Sequence, residues 1–300
     1  MVRRRVPADA LITYVEAPND VSPVERTTFT SSPGVAASVT AAEDETLQSR
    51  ATVLRAGLKI TSEDGRYCTI GAIVKGTHDL TGRTLLLTAA HCTRARFSMQ
   101  LLTRFYQPDP SDPWYYVGLE RWDPPASSQS GYVYADERNW CTTYRTIPCR
   151  FSDVAAVEIA AGQAEVGGFA RPYPRTITIM SQDKIAGTVD EPTAGMMVEM
   201  IGAVSGHTSG WMHSLTCVDR YVDSYEGGRV NLRCEQYATY ASQDGDSGAP
   251  VFASISPGYF MGFHARRSNV LGANVAVFTD IFGVARDKSD SRENIGWVYN

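Results

Sequence analysis

The chain has 300 residues, 43% of them hydrophobic and 20% charged, a composition that supports a substantial core and excludes disorder of the chain as a whole. Its 28 basic and 33 acidic side chains leave a net charge of -5, where an electrostatic nucleic-acid binder would carry a strong basic excess, so no nucleic-acid partner is expected. No run approaches the roughly 18 apolar residues of a membrane-crossing helix, so no membrane span is expected either.

Residues 1–55 are rich in Ala, Thr, Ser and Pro with weak periodicity, and read as an N-terminal extension or pro-segment remnant. Arg3, Arg4 and Arg5 open the chain, but Pro7, Asp9 and Thr13 interrupt the apolar residues after them, so no signal peptide is visible in it. From Ala56 the texture changes to short β-branched and apolar runs punctuated by glycine, at 58–61, 68–74 and 84–88, which predict strands. Residues 107–150 are dense in Pro, Trp, Tyr and Asp and predict a long surface loop. Its aromatic side chains, among them Trp114, Tyr115, Tyr116, Trp122 and Trp140, would extend a cleft or cover the first half as a lid. Strand texture returns at 153–159, and the Gly- and Pro-containing stretch 162–174 reads as the connection to a second half. That half predicts strands at 176–180, 196–204, 228–240, 249–254, 259–264 and 275–281, with helical period only near 279–286. The expected organisation is all-β, an extension 1–55 followed by two β halves, 56–165 and 166–300, with a cleft between them as the natural place for a site.

The six cysteines, Cys68, Cys92, Cys141, Cys149, Cys217 and Cys234, show no C-x-x-C spacing of a structural zinc site, and their even number predicts three disulfides. Composition leaves the connectivity open. Sequential pairing is expected because each neighbouring pair brackets one hairpin or loop, and disulfides place the chain outside the reducing cytosol, secreted or extracytoplasmic.

Two peptides carry chemistry. Gly245-Asp246-Ser247-Gly248-Ala249-Pro250 presents a serine among glycines, and Thr88-Ala89-Ala90-His91-Cys92 ends an apolar run with a histidine. A serine hydroxyl needs an imidazole to take its proton and N–H groups to hold the oxyanion that forms. Glycines around Ser247 allow the partly left-handed backbone that would aim the N–H groups of Gly245 and Ser247 at one point. The order, histidine before serine, argues against an α/β-hydrolase, in which the serine comes first within G-x-S-x-G; here Ala249 breaks that pattern.

On these residues the chain resembles the chymotrypsin-like (trypsin-fold) serine peptidases, the secreted bacterial branch in particular, over roughly residues 56–285. Leu85 to Cys92 looks like the base motif, with Cys68 where the partner of Cys92 would lie, and Gly245 to Pro250 like the nucleophile motif. Ser205 to Trp211 is similar to a Gly/Thr-rich hairpin of the bacterial members. The resemblance implies two six-stranded antiparallel β-barrels with the site in the cleft between them. It also implies a monomeric serine endopeptidase acting on protein or peptide substrates through an acyl-enzyme, with no cofactor. Ser247 is then the nucleophile, His91 the base, and Gly245 and Ser247 the oxyanion donors. Asp153 is the expected orienting acid, because Asp153-Val154-Ala155-Ala156-Val157 looks like the family's acid-bearing strand start, whereas Asp112, Asp123 and Asp136 are expected to be solvated.

Two departures stand out. Ala249 replaces the commoner glycine, which is tolerable if its backbone is in an ordinary β region. No Ile-Val-Gly-Gly-type peptide precedes the first half to supply an amine for Asp246, so that aspartate is expected to have a different internal partner. A catalytically silent binding module with the same residues is the alternative reading.

In this fold the residue six before the nucleophile lies at the base of the specificity pocket. Here it is Ala241, followed by Ser242, which argues against a preference for basic side chains. Residues 258–266 look like one wall of that pocket, with Phe260, Gly262 and His264 on one face by alternation. His264 falls where glutamyl endopeptidases carry a pocket histidine, and Arg266 and Arg267 would add positive potential, so Glu or Gln before the cut is one expectation; the alternatives are a core histidine bonded to the backbone, with the two arginines on a solvated edge, and a pocket walled by Ala241 and Gly262 that takes a medium apolar side chain. His78, His207 and His213 read as surface or structural residues, and no metal is expected because Asp109 and Asp112 give too few oxygen ligands for Ca²⁺.

Overall fold

In the computed structural model the described residues are 45–77, 80–98, 102–111, 113–124, 148–160, 162–189, 192–214, 218–223, 227–254, 258–270 and 273–290. Apart from short 3₁₀ turns and one C-terminal α-helix, Ile281–Asp290, the elements of this body are β-strands. No helix among the described residues is long and apolar enough to cross a membrane.

The first sheet runs Tyr67–Thr69, Lys59–Ser62, Arg104–Tyr106, Tyr116–Trp122, Ala155–Ile159, Thr84–Thr88 and Ala72–Lys75. Its two outer members are halves of one segment broken at Ile70 and Gly71. The sheet therefore closes on itself as a six-stranded antiparallel barrel. Thr84–Thr88 is buried along its whole length, as a strand packed on both faces must be, and this explains its unbroken apolar run.

The second sheet runs Gly206–Trp211, Met197–Gly202, Pro250–Ala253, Tyr259–Val270, Ala273–Asp280 and Arg229–Ala238. The bridge between Met212 and Ala238, with the Thr239 N–H donating to the Trp211 carbonyl, closes it as a second six-stranded barrel. The strand Val218–Asp223 extends this sheet as a hairpin arm on Arg229–Ala238. A small sheet of Leu54–Ala56, Ala164–Pro172 and Ile179–Lys184 stands beside the barrels.

Three expectations change. Residues 107–150 are not one loop: they contain the strand Tyr116–Trp122, which pairs on both sides in the first barrel. Val117 and Trp122 of that strand are in the core, Trp122 at 2% exposed, whereas Trp114 just before the strand is 83% exposed. Trp140 and Cys141 lie outside the described residues. The expected connection 162–174 is itself the nine-residue strand Ala164–Pro172, which spans the boundary drawn between the halves. Residues 45–55, assigned to the extension, belong to the body, with Leu47 fully buried in its core.

Cys68 and Cys92 form the expected disulfide. Cys149 and Cys234 are each in a disulfide whose other half lies outside the described residues, as do Cys141 and Cys217. Trp122→Ala empties a large buried site and is expected to lower the unfolding free energy by about 3–5 kcal/mol. Trp114→Ala should change it by less than about 0.5 kcal/mol. Equal denaturant midpoints for the two variants would contradict the placement of this strand.

Candidate active site

His91 sits in a 3₁₀ turn, Ala90–Cys92, immediately after the buried strand Thr84–Thr88. The disulfide from Cys92 to Cys68 anchors one side of the turn, and Arg66 donates to the carbonyls of Thr93 (2.6 Å) and His91 (3.4 Å). Asp153 precedes the strand Ala155–Ile159, which pairs with Thr84–Thr88, so the two residues meet at one end of adjacent strands. Asp153 Oδ1 accepts the His91 backbone N–H at 3.0 Å, and Oδ2 lies 2.7 Å from His91 Nδ1. The opposite ring nitrogen, Nε2, is 2.8 Å from Ser247 Oγ. The Asp153 side chain is wholly buried while the imidazole is partly open. Burial alone would raise the Asp153 carboxyl, but the charge and hydrogen bonds of His91 and the nearby Arg150 outweigh it and hold it below the usual carboxylate range. It therefore stays ionised and fixes the Nδ1–H tautomer, leaving Nε2 to accept the serine proton.

Ser247 reaches this pair from the second barrel. Gly245 and Gly248 adopt φ of +102° and +87°, and a Cβ on Gly248 would stand 2.3 Å from Thr88 Oγ1 and 2.5 Å from the Thr69 carbonyl. Ala249 has no such strain. The Thr69 N–H donates to the Ser247 carbonyl (2.8 Å), and the Thr69 hydroxyl to the Gly245 carbonyl (2.9 Å). Neither the Gly245 nor the Ser247 N–H donates to another group among the described residues. Asp246, fully buried, has the internal partners that sequence left unidentified: Oδ1 accepts the N–H groups of Val204 (2.9 Å) and Ser205 (3.0 Å), and Oδ2 that of Gln243 (2.7 Å). The first two belong to the turn entering the Gly206–Trp211 hairpin, so no amine is needed to balance this carboxylate.

A cavity of about 670 Å³ opens beside Ser247, lined by Ala241, Ser242, His264 and Arg266 among others. Gly262 does not line it. It lies in the middle of the sheet, where a Cβ would meet the Thr279 carbonyl at 2.1 Å, so its role is close strand packing. His264 is buried, and burial pushes its imidazole down to about 3, so it is neutral at pH 7. Its Nδ1 lies 3.0 Å from Tyr240 Oη. Burial lifts the Tyr240 phenol well above its ordinary range, and the hydroxyl has no other acceptor among the described residues. Tyr240 thus donates to Nδ1, and His264 Nε2 carries the proton. Among the described residues, Ser242 Oγ is buried without a hydrogen-bond partner, as are Nε and Nη2 of Arg266, and Arg266 Nη2 lies 3.8 Å from Glu235. Arg267 instead pairs with Asp244 at 2.7 Å.

Other expectations fall differently. Asp123 is not solvated: it is buried and paired with Arg150 at 2.6 Å. Asp112, Asp136 and His78 lie outside the described residues. His207 pairs with Glu199 at 3.0 Å. Sequence reasoning missed Tyr240, Thr69 and Glu235; Thr69 and Tyr240 adjoin recognised peptides, but no spacing marks the contacts they make. Glu235 is buried beside Arg220 (2.8 Å), and burial pushes its carboxyl up to about 8.

Among solved structures, the chain is similar to Cellulomonas bogoriensis chymotrypsin, with 18% identity and a TM-score of 0.50 over 82% of this chain and 98% of that one. It is similar also to a glutamic acid specific serine protease that uses a histidine triad in substrate binding (18% identity, TM-score 0.51, 77% and 96% covered). A third likeness is to alpha-lytic protease homolog N4 (15% identity, TM-score 0.51, 78% and 96% covered). The fold is chymotrypsin-like. No protein-family model and no curated protein matches the sequence. Within the chymotrypsin-like fold, His91 and Asp153 come from the first barrel and Ser247 from the second.

The pH dependence of stability tests the His264 assignment. Between pH 6.5 and about 3 the unfolded chain takes up a proton that the folded His264 refuses. Its contribution is full above pH 6.5 and is lost progressively as the pH falls towards 3. His264→Gln, which cannot titrate, is expected to show a shallower decline in thermal midpoint from pH 7 to pH 4; parallel curves would refute a neutral buried imidazole.

Proposed function

We propose that this protein is a serine endopeptidase that cleaves through an acyl-enzyme, on the observation that Ser247 Oγ, His91 and Asp153 form a continuous hydrogen-bonded line with lengths of 2.8 and 2.7 Å. Ser247 Oγ attacks the carbonyl carbon of the scissile bond while His91 Nε2 takes its proton. The oxygen, now anionic, is held by the uncommitted N–H groups of Gly245 and Ser247. The C–N bond breaks as His91 returns the proton to the leaving amine. Water then attacks the ester, His91 takes a proton from it, and collapse releases the acid with the proton returned to Ser247. Asp153 remains ionised throughout and stabilises the imidazolium.

The cavity supports a preference for Glu or Gln before the cut. Its polar lining includes His264, Ser242 and Arg266 as donors, Ala241 stands where an aspartate would select a basic side chain, and the one acid of the lining, Asp244, is paired with Arg267. A structural neighbour specific for glutamic acid uses three histidines; this chain brings one, His264, to its cavity. Because that imidazole stays neutral, it serves an amide carbonyl and a carboxylate alike, and the distinction between them falls to Arg266. The disulfides fit a chain that works in an oxidising compartment.

Mass-spectrometric mapping of cuts in a diverse peptide library tests the activity. Ser247→Ala is expected to reduce kcat by about 10⁴- to 10⁶-fold with the fold intact. Cuts that persist in that variant, or wild type that neither cuts nor reacts with an organophosphate after removal of residues 1–44, would instead favour a silent binding module. His264→Ala is expected to lower kcat/KM after Glu and Gln by roughly 10- to 100-fold and to spare apolar residues. Arg266→Ala should erase the difference between Glu and Gln; unchanged selectivity in both would remove the pocket from the account.

A further inference from the structure

The C-terminal helix carries an acid where an amphipathic helix should have an apolar residue. Ile281 and Val284 face the core at i and i+3, and Asp287 follows at i+6 on the same side, 4% exposed. A carboxylate there costs stability unless it is fully bonded. Asp287 is bonded to a particular place. Its Oδ1 accepts the Phe151 N–H at 2.7 Å, and its Oδ2 accepts the N–H (2.6 Å) and the hydroxyl (2.5 Å) of Ser152. The next amide, that of Asp153 itself, donates to Thr279 Oγ1 at 3.1 Å, one residue before the aspartate that caps the same helix through the Gly283 N–H.

The other side of Asp153 is held as firmly. Arg150, 2% exposed, donates to the Val154 carbonyl at 2.8 Å, to Asp123 at 2.6 Å and to the Pro124 carbonyl at 2.6 Å, with Asp287 Oδ2 at 3.6 Å from its Nε. The Asp153 carbonyl accepts the Ala90 N–H at 3.2 Å. Every peptide unit from 151 to 154 thus has a fixed partner, and three consecutive N–H groups are taken by two side chains from the far end of the chain. Peptide groups in a short link need only water, so this expenditure of buried side chains calls for a reason beyond satisfying the backbone.

We infer that Asp287 and Thr279 are positioning residues: they clamp the 151–153 backbone so that the Asp153 carboxylate stays on His91 Nδ1. This rests on the reading of Asp153 as the residue that orients His91. With the clamp released, Asp153 can recede, the imidazolium loses its counter-charge, and the proton transfers at Ser247 slow, while the substrate cavity, which neither residues 151–153 nor Thr279 nor Asp287 line, keeps its lining side chains.

The decisive readout does not need hydrolysis. In the full chain, the strongly hydrogen-bonded His91 Nδ1 proton gives a far-downfield ¹H NMR resonance, and Asp287→Ala and Thr279→Val are each expected to move it upfield or abolish it in protein that keeps its cooperative melt. Thr279→Ser, which keeps the hydroxyl, should restore it. On active-site-titrated enzyme the same variants should lose roughly 10- to 100-fold in kcat with KM within about twofold, and the acid limb of the pH–rate profile should move to lower pH. An unchanged resonance in both variants would overturn the inference whatever the melting temperature does, and if Asp287→Ala fails to fold, Thr279→Val decides alone. Wild type that shows the resonance but no Ser247-dependent hydrolysis counts against the proposed activity and leaves the clamp to be judged by NMR.

Discussion

The seam at Thr69 is the contact on which the rest depends. This one residue gives its N–H to the Ser247 carbonyl and its hydroxyl to the Gly245 carbonyl, and the same hydroxyl accepts the Ala203 N–H. Its carbonyl takes the Thr88 hydroxyl, from the strand that leads to His91. A first-barrel side chain therefore sets the height of the second barrel's serine loop, and does so over a gap that admits no Cβ at Gly248. Backbone groups in a low-dielectric seam cannot be left unpaired without a cost of about 1–3 kcal/mol each, which makes this registry stiff.

Three buried aspartates are each held by a full set of partners. Asp246 accepts three N–H groups, Asp153 has an imidazole and the field of Arg150, and Asp287 has two amides, a hydroxyl and the edge of the same guanidinium, against which burial still holds its carboxyl above the usual range. Such arrangements are poor sources of net stability, since desolvation offsets most of the attraction. What they secure is one geometry in preference to its neighbours, and all three border the loops that carry the reactive groups.

The fold was legible where a segment is simple in its surroundings. Thr84–Thr88, buried on both faces, and the alternating runs of the second barrel announced themselves by texture. Tyr116–Trp122 did not, because proline, aspartate and tryptophan around it mimic a loop, and only its pairing on both edges makes it a strand. At the candidate site, His91, Asp153 and Ser247, which short peptides had marked, lie within hydrogen-bond distance in a line. Asp123 was misread: local polarity says nothing about an arginine arriving from residue 150. Likewise Gly262 looked like a pocket wall by alternation, but the tight approach of Thr279 takes up its space.

The bond between His91 and Ser247 joins residues 156 positions apart, and Asp287 reaches back over 136 to Phe151. Contacts of that span form late, after the loops between them have closed. An emerging or half-folded chain would hold a serine no more reactive than free serine. On the proposed reading, hydrolytic power would arrive only once residues this far apart in sequence have met. The length of chain between the paired groups would then act as a timer written into the topology.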